Sequence, residues 1–267
     1  MLVGKKFIYF ELQKTGCSYT RNVLSKLPTI NSYVHGNHNT YVSLPLESMN
    51  TFDSKIKIGN IRNPWDWYVS LWAFGCMGKG SVYYNVIKRC KRKIAEGDKW
   101  KAVIPEPYIK NMGMWEEVYA NAYSPELFRA WLKLILKDSP PIGTGYKKSP
   151  IFEHAGLLTY RYLKLYSYDG EKQVPKLKNF QKIQQFDAEK NFIDVIIKNE
   201  CIHKDLLDNA SKIGLPTQEL REVLNKFSDK TNTSSRKSYP YYYDEETKNL
   251  VEKKERLIIE KYGYEYS

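Results

Sequence analysis

Phe7-Ile8-Tyr9-Phe10-Glu11-Leu12-Gln13-Lys14-Thr15-Gly16-Cys17-Ser18, continuing to Leu27, is the stretch that decides the fold. Its apolar start predicts a short strand over residues 6–10, followed by a polar turn from Glu11 to Gly16. From about Ser18 to Leu27, Val23, Leu24 and Leu27 fall on one helical face, with Ser18 as the expected N-cap. Such a strand–turn–helix aims backbone N–H groups and the positive end of a helix at one point, where an anion is favoured. Lys14 adds a mobile cation, Thr15 and Ser18 add hydroxyl donors, and Gly16 permits a close backbone approach. The Lys precedes the single Gly, so this is not the G-x-x-x-x-G-K-[ST] loop of nucleotide triphosphatases. On these residues alone the segment reads either as a phosphate-binding turn or as an ordinary strand–turn–helix.

A second stretch, Ile58-Gly59-Asn60-Ile61-Arg62-Asn63-Pro64-Trp65-Asp66-Trp67-Tyr68-Val69-Ser70-Leu71-Trp72, repeats the pattern. A strand over Ile56 to Ile61 ends at Arg62. Asn63 then caps and Pro64 opens a helix that runs to about Phe74 and stops near Gly75. Arg62 thus sits at the carboxyl end of a strand, where open α/β sheets bind ligands. Ser70, two turns into the helix, would join Arg62 on one phosphate, the guanidinium supplying a charge-assisted fork. The competing reading pairs Arg62 with Asp66 and leaves Ser70 on the helix surface.

Farther out, Ser124-Pro125-Glu126 caps an amphipathic helix to about Leu136, and the Pro/Gly-rich run from Asp138 to Pro150 predicts a loop and candidate lid. Phe192 to Ile197 predicts another strand, leading through Glu200 into a helix that ends near Gly214. Asp244 starts a last helix that stops at Gly263. Lys88 to Lys93 reads as a basic, solvated helix face. With no internal repeat or linker, alternating strands and helices predict an α/β fold: one domain over 1–267, with a central, mostly parallel sheet flanked by helices.

The 267 residues are 42% hydrophobic, enough to bury a real core. A net charge of +12 points to an anionic partner, whether nucleic acid, acidic membrane, nucleotide or acidic glycan. Cys17, Cys76, Cys90 and Cys201 are widely separated and show no metal-ligand spacing, which predicts reduced thiols and no bound metal. No apolar run approaches the ~20 residues that span a bilayer. Neither is there a signal-peptide core, so a cytoplasmic protein is expected.

Taken together, K-T-G-x-S after the first strand and R-N-P-x-x-x-x-x-S-x-W farther on resemble the PAPS-dependent sulfotransferase family (PAPS, 3′-phosphoadenosine 5′-phosphosulfate). The resemblance implies a P-loop-like turn, Lys14, Thr15, Gly16, Cys17, Ser18 and Tyr19, that holds the 5′-phosphosulfate, and Arg62 with Ser70 on the 3′-phosphate. Cys17 stands where many members have a second Gly. Residues 156–163, 195–200 and 232–239 look like segments of bacterial carbohydrate-type sulfotransferases. In that family a basic C-terminal loop folds over the 3′-phosphate, which implies Arg236 and Lys237 as further cofactor contacts; a solvated basic turn is the other reading of those two. PAPS would be the donor, 3′-phosphoadenosine 5′-phosphate (PAP) the product, and no metal is implied.

Transfer to a hydroxyl needs a base, a stabilised leaving phosphate and an in-line geometry. Tyr33-Val34-His35-Gly36-Asn37-His38 lies between the two motifs, and a histidine titrates in the right range. The segment also resembles the Y-H-G-H stretch of uronyl 2-O-sulfotransferases, with extra spacing. It implies His38 as base and His35 as an orienting or substrate-binding residue; other sulfotransferase branches use a Glu near the first loop, which makes Glu11 the alternative base, and Lys14 would assist the departing phosphate. The expected acceptor is a carbohydrate hydroxyl, on an acidic or neutral glycan, with a lipid or small phenol as alternative. A P-loop-like phosphotransferase lacks its second Gly and acidic metal ligands here, and a nucleic-acid or polyanion module lacks a recognised motif. The oligomeric state is not legible.

Overall fold

The computed structural model describes residues 1–28, 30–36, 38–88, 113–137, 145–227 and 236–267. The sequence readings of 89–93, 138–144 and 232–235 lie outside these, as does Asn37. The chain forms two compact units, each drawn from three stretches: Met1–Asn63, Arg161–Val174 and Gln181–Thr233 in one; Pro64–Tyr160, Pro175–Phe180 and Ser234–Ser267 in the other.

The first unit holds a five-stranded open sheet in the order β3-β1-β2-β4-β5. Its strands are β1 (Leu2–Gly4), β2 (Phe7–Phe10), β3 (Ser32–Val34), β4 (Ile56–Ile61) and β5 (Val195–Lys198). β2 pairs in parallel with β4, setting Tyr9 opposite Ile58, and β4 with β5, setting Asn60 opposite Ile197. β1 pairs antiparallel with both β2 and β3. The fold is therefore α/β, but its sheet is mixed rather than mostly parallel. The physical reason lies in Leu2–Gly4, which the sequence reading passed over: only Lys5-Lys6 separates it from β2, and so short a link joins antiparallel neighbours.

β2 is buried throughout, as a continuous apolar run requires. The first helix, Cys17–Ser25, contributes Val23 and Leu24 to a core shared with Tyr9, Ile58, Ile197, Leu206, Ile213 and Leu220. The parallel strands β2, β4 and β5 all end on one sheet edge. That edge carries the turn after Phe10, then Arg62-Asn63, then Asn199-Glu200.

The second unit is helical among its described residues. Trp72, Phe128, Trp131 and Tyr242 are fully buried, with Trp72 and Phe128 edge to face at 5.4 Å. The indole N–H groups of Trp72 and Trp131 donate to Val118 O and Tyr119 Oη, each at 2.7 Å. Ser124 caps helix Pro125–Leu136 by accepting from Leu127 N at 3.2 Å. Helix Pro64–Cys76 ends beside Gly75 as expected, and the Tyr119 ring occupies the place a Cβ would take there. The helix expected from Asp244 to Gly263 divides into Glu245–Lys254 and Arg256–Tyr262 around Glu255. Among the described residues, no helix is long and apolar enough to cross a membrane.

Candidate anion-binding turn and general base

The turn after β2 is built from the carbonyl side. Thr15 Oγ1 donates to Leu12 O at 2.7 Å, and Arg62 Nη1 donates to Lys14 O at 3.1 Å. Asn60 Nδ2 holds Thr15 O at 3.2 Å, Thr20 N holds Gly16 O at 3.0 Å, and Tyr9 Oη holds Cys17 O at 3.2 Å. Four successive carbonyls, 14 to 17, thus have donors within the protein. A trans peptide is planar, so each N–H points opposite to the carbonyl before it. The N–H groups of Thr15, Gly16, Cys17 and Ser18 are therefore directed away from those donors. Lys14 (φ 65°) and Gly16 (φ 80°) both take left-handed conformations.

Gly16 has a second reason to be glycine: a Cβ there would lie 2.7 Å from both Asn199 Oδ1 and Ile202 Cδ1. It also takes the N-cap position expected of Ser18, with no side-chain cap bond and no acidic residue in the first helical turn. The first N–H groups of a helix lack intrahelical partners. At this helix the N-cap residue itself supplies no side-chain acceptor to them.

Several expected contacts are placed differently. The Thr15 hydroxyl faces inward, so its contribution to the turn is backbone. The Cys17 side chain is buried, and burial pushes its thiol pKa up. Tyr19 Oη donates to Phe227 O at 2.8 Å and lies 2.5 Å from His203 Nε2. Lys14 and Ser18 are half-buried at the turn. The sheet unit thus brings Lys14 to Tyr19 together with Arg62. Ser70, Arg236 and Lys237 belong to the helical unit. There Ser70 is buried in helix Pro64–Cys76, and Lys237 N donates to Tyr242 Oη at 3.0 Å. Arg236 Nη2 meets Asp66 Oδ1 at 2.5 Å.

His38 is a further left-handed residue, at φ 55°. Non-glycine residues held in that region cost on the order of 1–3 kcal/mol and concentrate at functional sites. His38 Nδ1 lies 2.8 Å from Glu11 O. A carbonyl only accepts, so Nδ1 carries the proton and Nε2 keeps the lone pair. The residue is exposed, yet desolvation by the protein around it still lowers its pKa from the usual histidine value, so it is neutral at pH 7. Glu11, the alternative base, is 1% exposed, with its carboxylate 2.9 Å from Arg21 Nη1 and 2.7 Å from the Met1 amino group. His35 Nε2 is 2.6 Å from Ser43 O, and His35 O accepts from Asn39 Nδ2 at 3.0 Å.

Sequence reasoning missed Asn60, Thr20 and Tyr9, which set the turn from beneath. The available signal was a carboxamide in the inner half of the strand Ile56–Ile61, where its neighbours Ile58, Gly59 and Ile61 are apolar. The helical unit contains a contrasting helix start, at Leu157–Tyr166. Glu255 Oε2 accepts there from Thr159 N at 2.8 Å and Thr159 Oγ1 at 2.6 Å, and Oε1 accepts from Leu158 N at 3.1 Å and from the Tyr68 hydroxyl. Burial raises the Glu255 pKa to about 7, against the pull of these donors. No group of three or more His, Cys, Asp or Glu placed to hold a metal occurs among the described residues.

Comparisons with protein-family models, curated proteins and solved structures give no match.

Proposed function

We propose that the chain is a sulfotransferase that moves the sulfuryl group of PAPS to an acceptor hydroxyl, with the turn 14–18 as its P-loop-like 5′-phosphosulfate site. The observation that supports this reading is that carbonyls 14 to 17 all have donors within the protein, which leaves the N–H groups of residues 15 to 18 on the opposite side of their peptides. The bacterial carbohydrate-type resemblance makes a glycan hydroxyl the acceptor class to try first.

The roles follow from chemistry. His38 Nε2 takes the acceptor's proton as oxygen bonds to sulfur and the bond from sulfur to the 5′-phosphate oxygen breaks. Products are the sulfate ester, PAP and one proton on imidazole. Glu11 O keeps the ring in the tautomer that leaves Nε2 available. Lys14 and the turn N–H groups stabilise negative charge gathering on the departing phosphate, where a preorganised donor counts most. Arg62 gives a guanidinium to the nucleotide's phosphates. Cations meet the leaving group's charge, so these steps call on no metal.

Calorimetry tests the reading. PAP should bind with one-to-one stoichiometry and far more tightly than ATP. Arg62→Ala should weaken it by about tenfold or more, the scale of a lost charge-assisted hydrogen bond. Tight ATP binding with no PAP binding would refute the proposal.

A further inference from the structure

Asn60 is buried in the middle of the sheet, yet it touches the turn from a neighbouring strand. Its Nδ2 reaches Thr15 O at 3.2 Å and Thr20 Oγ1 at 3.0 Å, so one amide group ties the turn to the first helix. Its backbone is held in turn by Tyr166, whose hydroxyl accepts from Asn60 N at 2.9 Å and donates to Asn60 O at 2.8 Å. The Tyr166 ring fits because Gly59 precedes Asn60; a Cβ there would be 2.6 Å from the ring. On the other side of the amide, Asn60 Oδ1 is buried and accepts from no described group. An unanswered buried acceptor is unfavourable, and an apolar side chain of the same size would avoid it. Packing alone therefore argues against Asn at this position; its donor is what the position uses.

We propose that Asn60 is a positioning residue for the anion site. By holding Thr15 O inward it rotates the Thr15–Gly16 peptide so that Gly16 N–H faces the bound anion, while Tyr166 keeps β4 at the height from which the amide reaches the turn. The identity of that anion as a 5′-phosphosulfate rests on the function proposed above; the action of Asn60 on the turn does not.

Two substitutions separate positioning from packing. Asn60→Leu fills the space and removes the orphaned acceptor but leaves Thr15 O without the amide donor, and these opposing effects should keep thermal stability close to the parent's. The amide resonances of Gly16 and Cys17 should nevertheless move in the ligand-free protein, and PAP affinity should fall at least tenfold. Asn60→Asp keeps the shape but turns an acceptor toward Thr15 O. PAP affinity should fall more than tenfold at pH 8 and recover as the introduced carboxyl is protonated at lower pH and donates to Thr15 O, a recovery the parent lacks. Thr20→Val leaves the Asn60–Thr15 bond in place and should change affinity by less than threefold. Should Asn60→Leu and Asn60→Asp both fail to fold, Asn60→Ser, too short to reach Thr15 O, supplies the same readouts. A folded Leu, Asp or Ser variant with unmoved Gly16 and Cys17 resonances would overturn the proposal, whether or not PAP binds. Failure of the parent to bind PAP would instead refute only the identity of the anion.

Discussion

Two helix starts in this molecule meet the same electrostatic problem in opposite ways. At Leu157–Tyr166 the chain brings its own acceptor: the Glu255 carboxyl accepts from Leu158 N and Thr159 N, and Tyr68 Oη accepts from Leu157 N at 2.9 Å. At Cys17–Ser25 there is no side-chain cap and no acid in the first turn, while neighbouring residues hold the carbonyls instead. Both starts have the unsatisfied N–H groups and partial positive charge of a helix end. The first is satisfied from within and serves stability. In the function proposed above, the second receives its anion from outside and serves chemistry. Substitutions should sort accordingly: those beside the turn should cost function with little stability, and those at Glu255 the reverse.

The largest effect tests the functional side. His38→Ala should lower kcat by about 100-fold to 10,000-fold, the usual worth of a general base, with PAP affinity and melting temperature nearly unchanged. In the parent, kcat/KM should rise with pH through an apparent pKa below 6.5 and then level off, because desolvation by the protein around it lowers the His38 pKa and only the neutral ring accepts a proton. An acid limb above 6.5, or turnover retained without the ring, would move the base elsewhere.

Next comes Glu255, whose pKa is raised in the folded protein from an ordinary 4.5 to about 7. A group shifted upward contributes stability that is fully present below its unfolded pKa and is lost as pH rises through its folded one. The parent should therefore lose stability between about pH 5 and 8, by up to about 3 kcal/mol for a shift of this size. Glu255→Gln cannot titrate, so urea unfolding across that range should show its advantage over the parent growing with pH, or its deficit shrinking. PAP affinity should stay as it was. A parent-minus-variant difference that is flat with pH would break the assignment.

A smaller effect sharpens the comparison. Asp244 is another chain-supplied cap, joined to Thr247 in a reciprocal capping box, with Thr247 N donating to Asp244 Oδ1 at 2.9 Å. Asp244→Ala should cost about 1 kcal/mol in denaturant unfolding and leave PAP binding intact. A loss of nucleotide affinity would show that the two kinds of helix start do not divide stability from function as described.

What the sequence made legible was local. The strand over Ile56–Ile61 appears at the expected residues, and the caps at Ser124 and Asp244 are made, because each cap bond spans only three residues. β1 and β3 are three residues each, too short for a period to register. Their pairings decide that the sheet is mixed. The expected cap at Ser18 gives way to left-handed Gly16 because contacts distant in sequence set the entry to that helix. Asn60 reaches Thr15 across 45 positions, and Gly16 is confined by Asn199. The residue types of the candidate site could be read directly, but the direction of its peptide planes depends on strands brought together only by folding.

The most direct test is a titration of PAP into the ¹⁵N-labelled protein, followed by the backbone amide resonances. The account predicts saturable shifts at Gly16, Cys17 and Ser18, with Leu158 and Thr159 unmoved, since Glu255 already occupies that second helix start. Resonances at 16–18 that stay in place while PAP binds, or that move no more than those at 158 and 159, would contradict it.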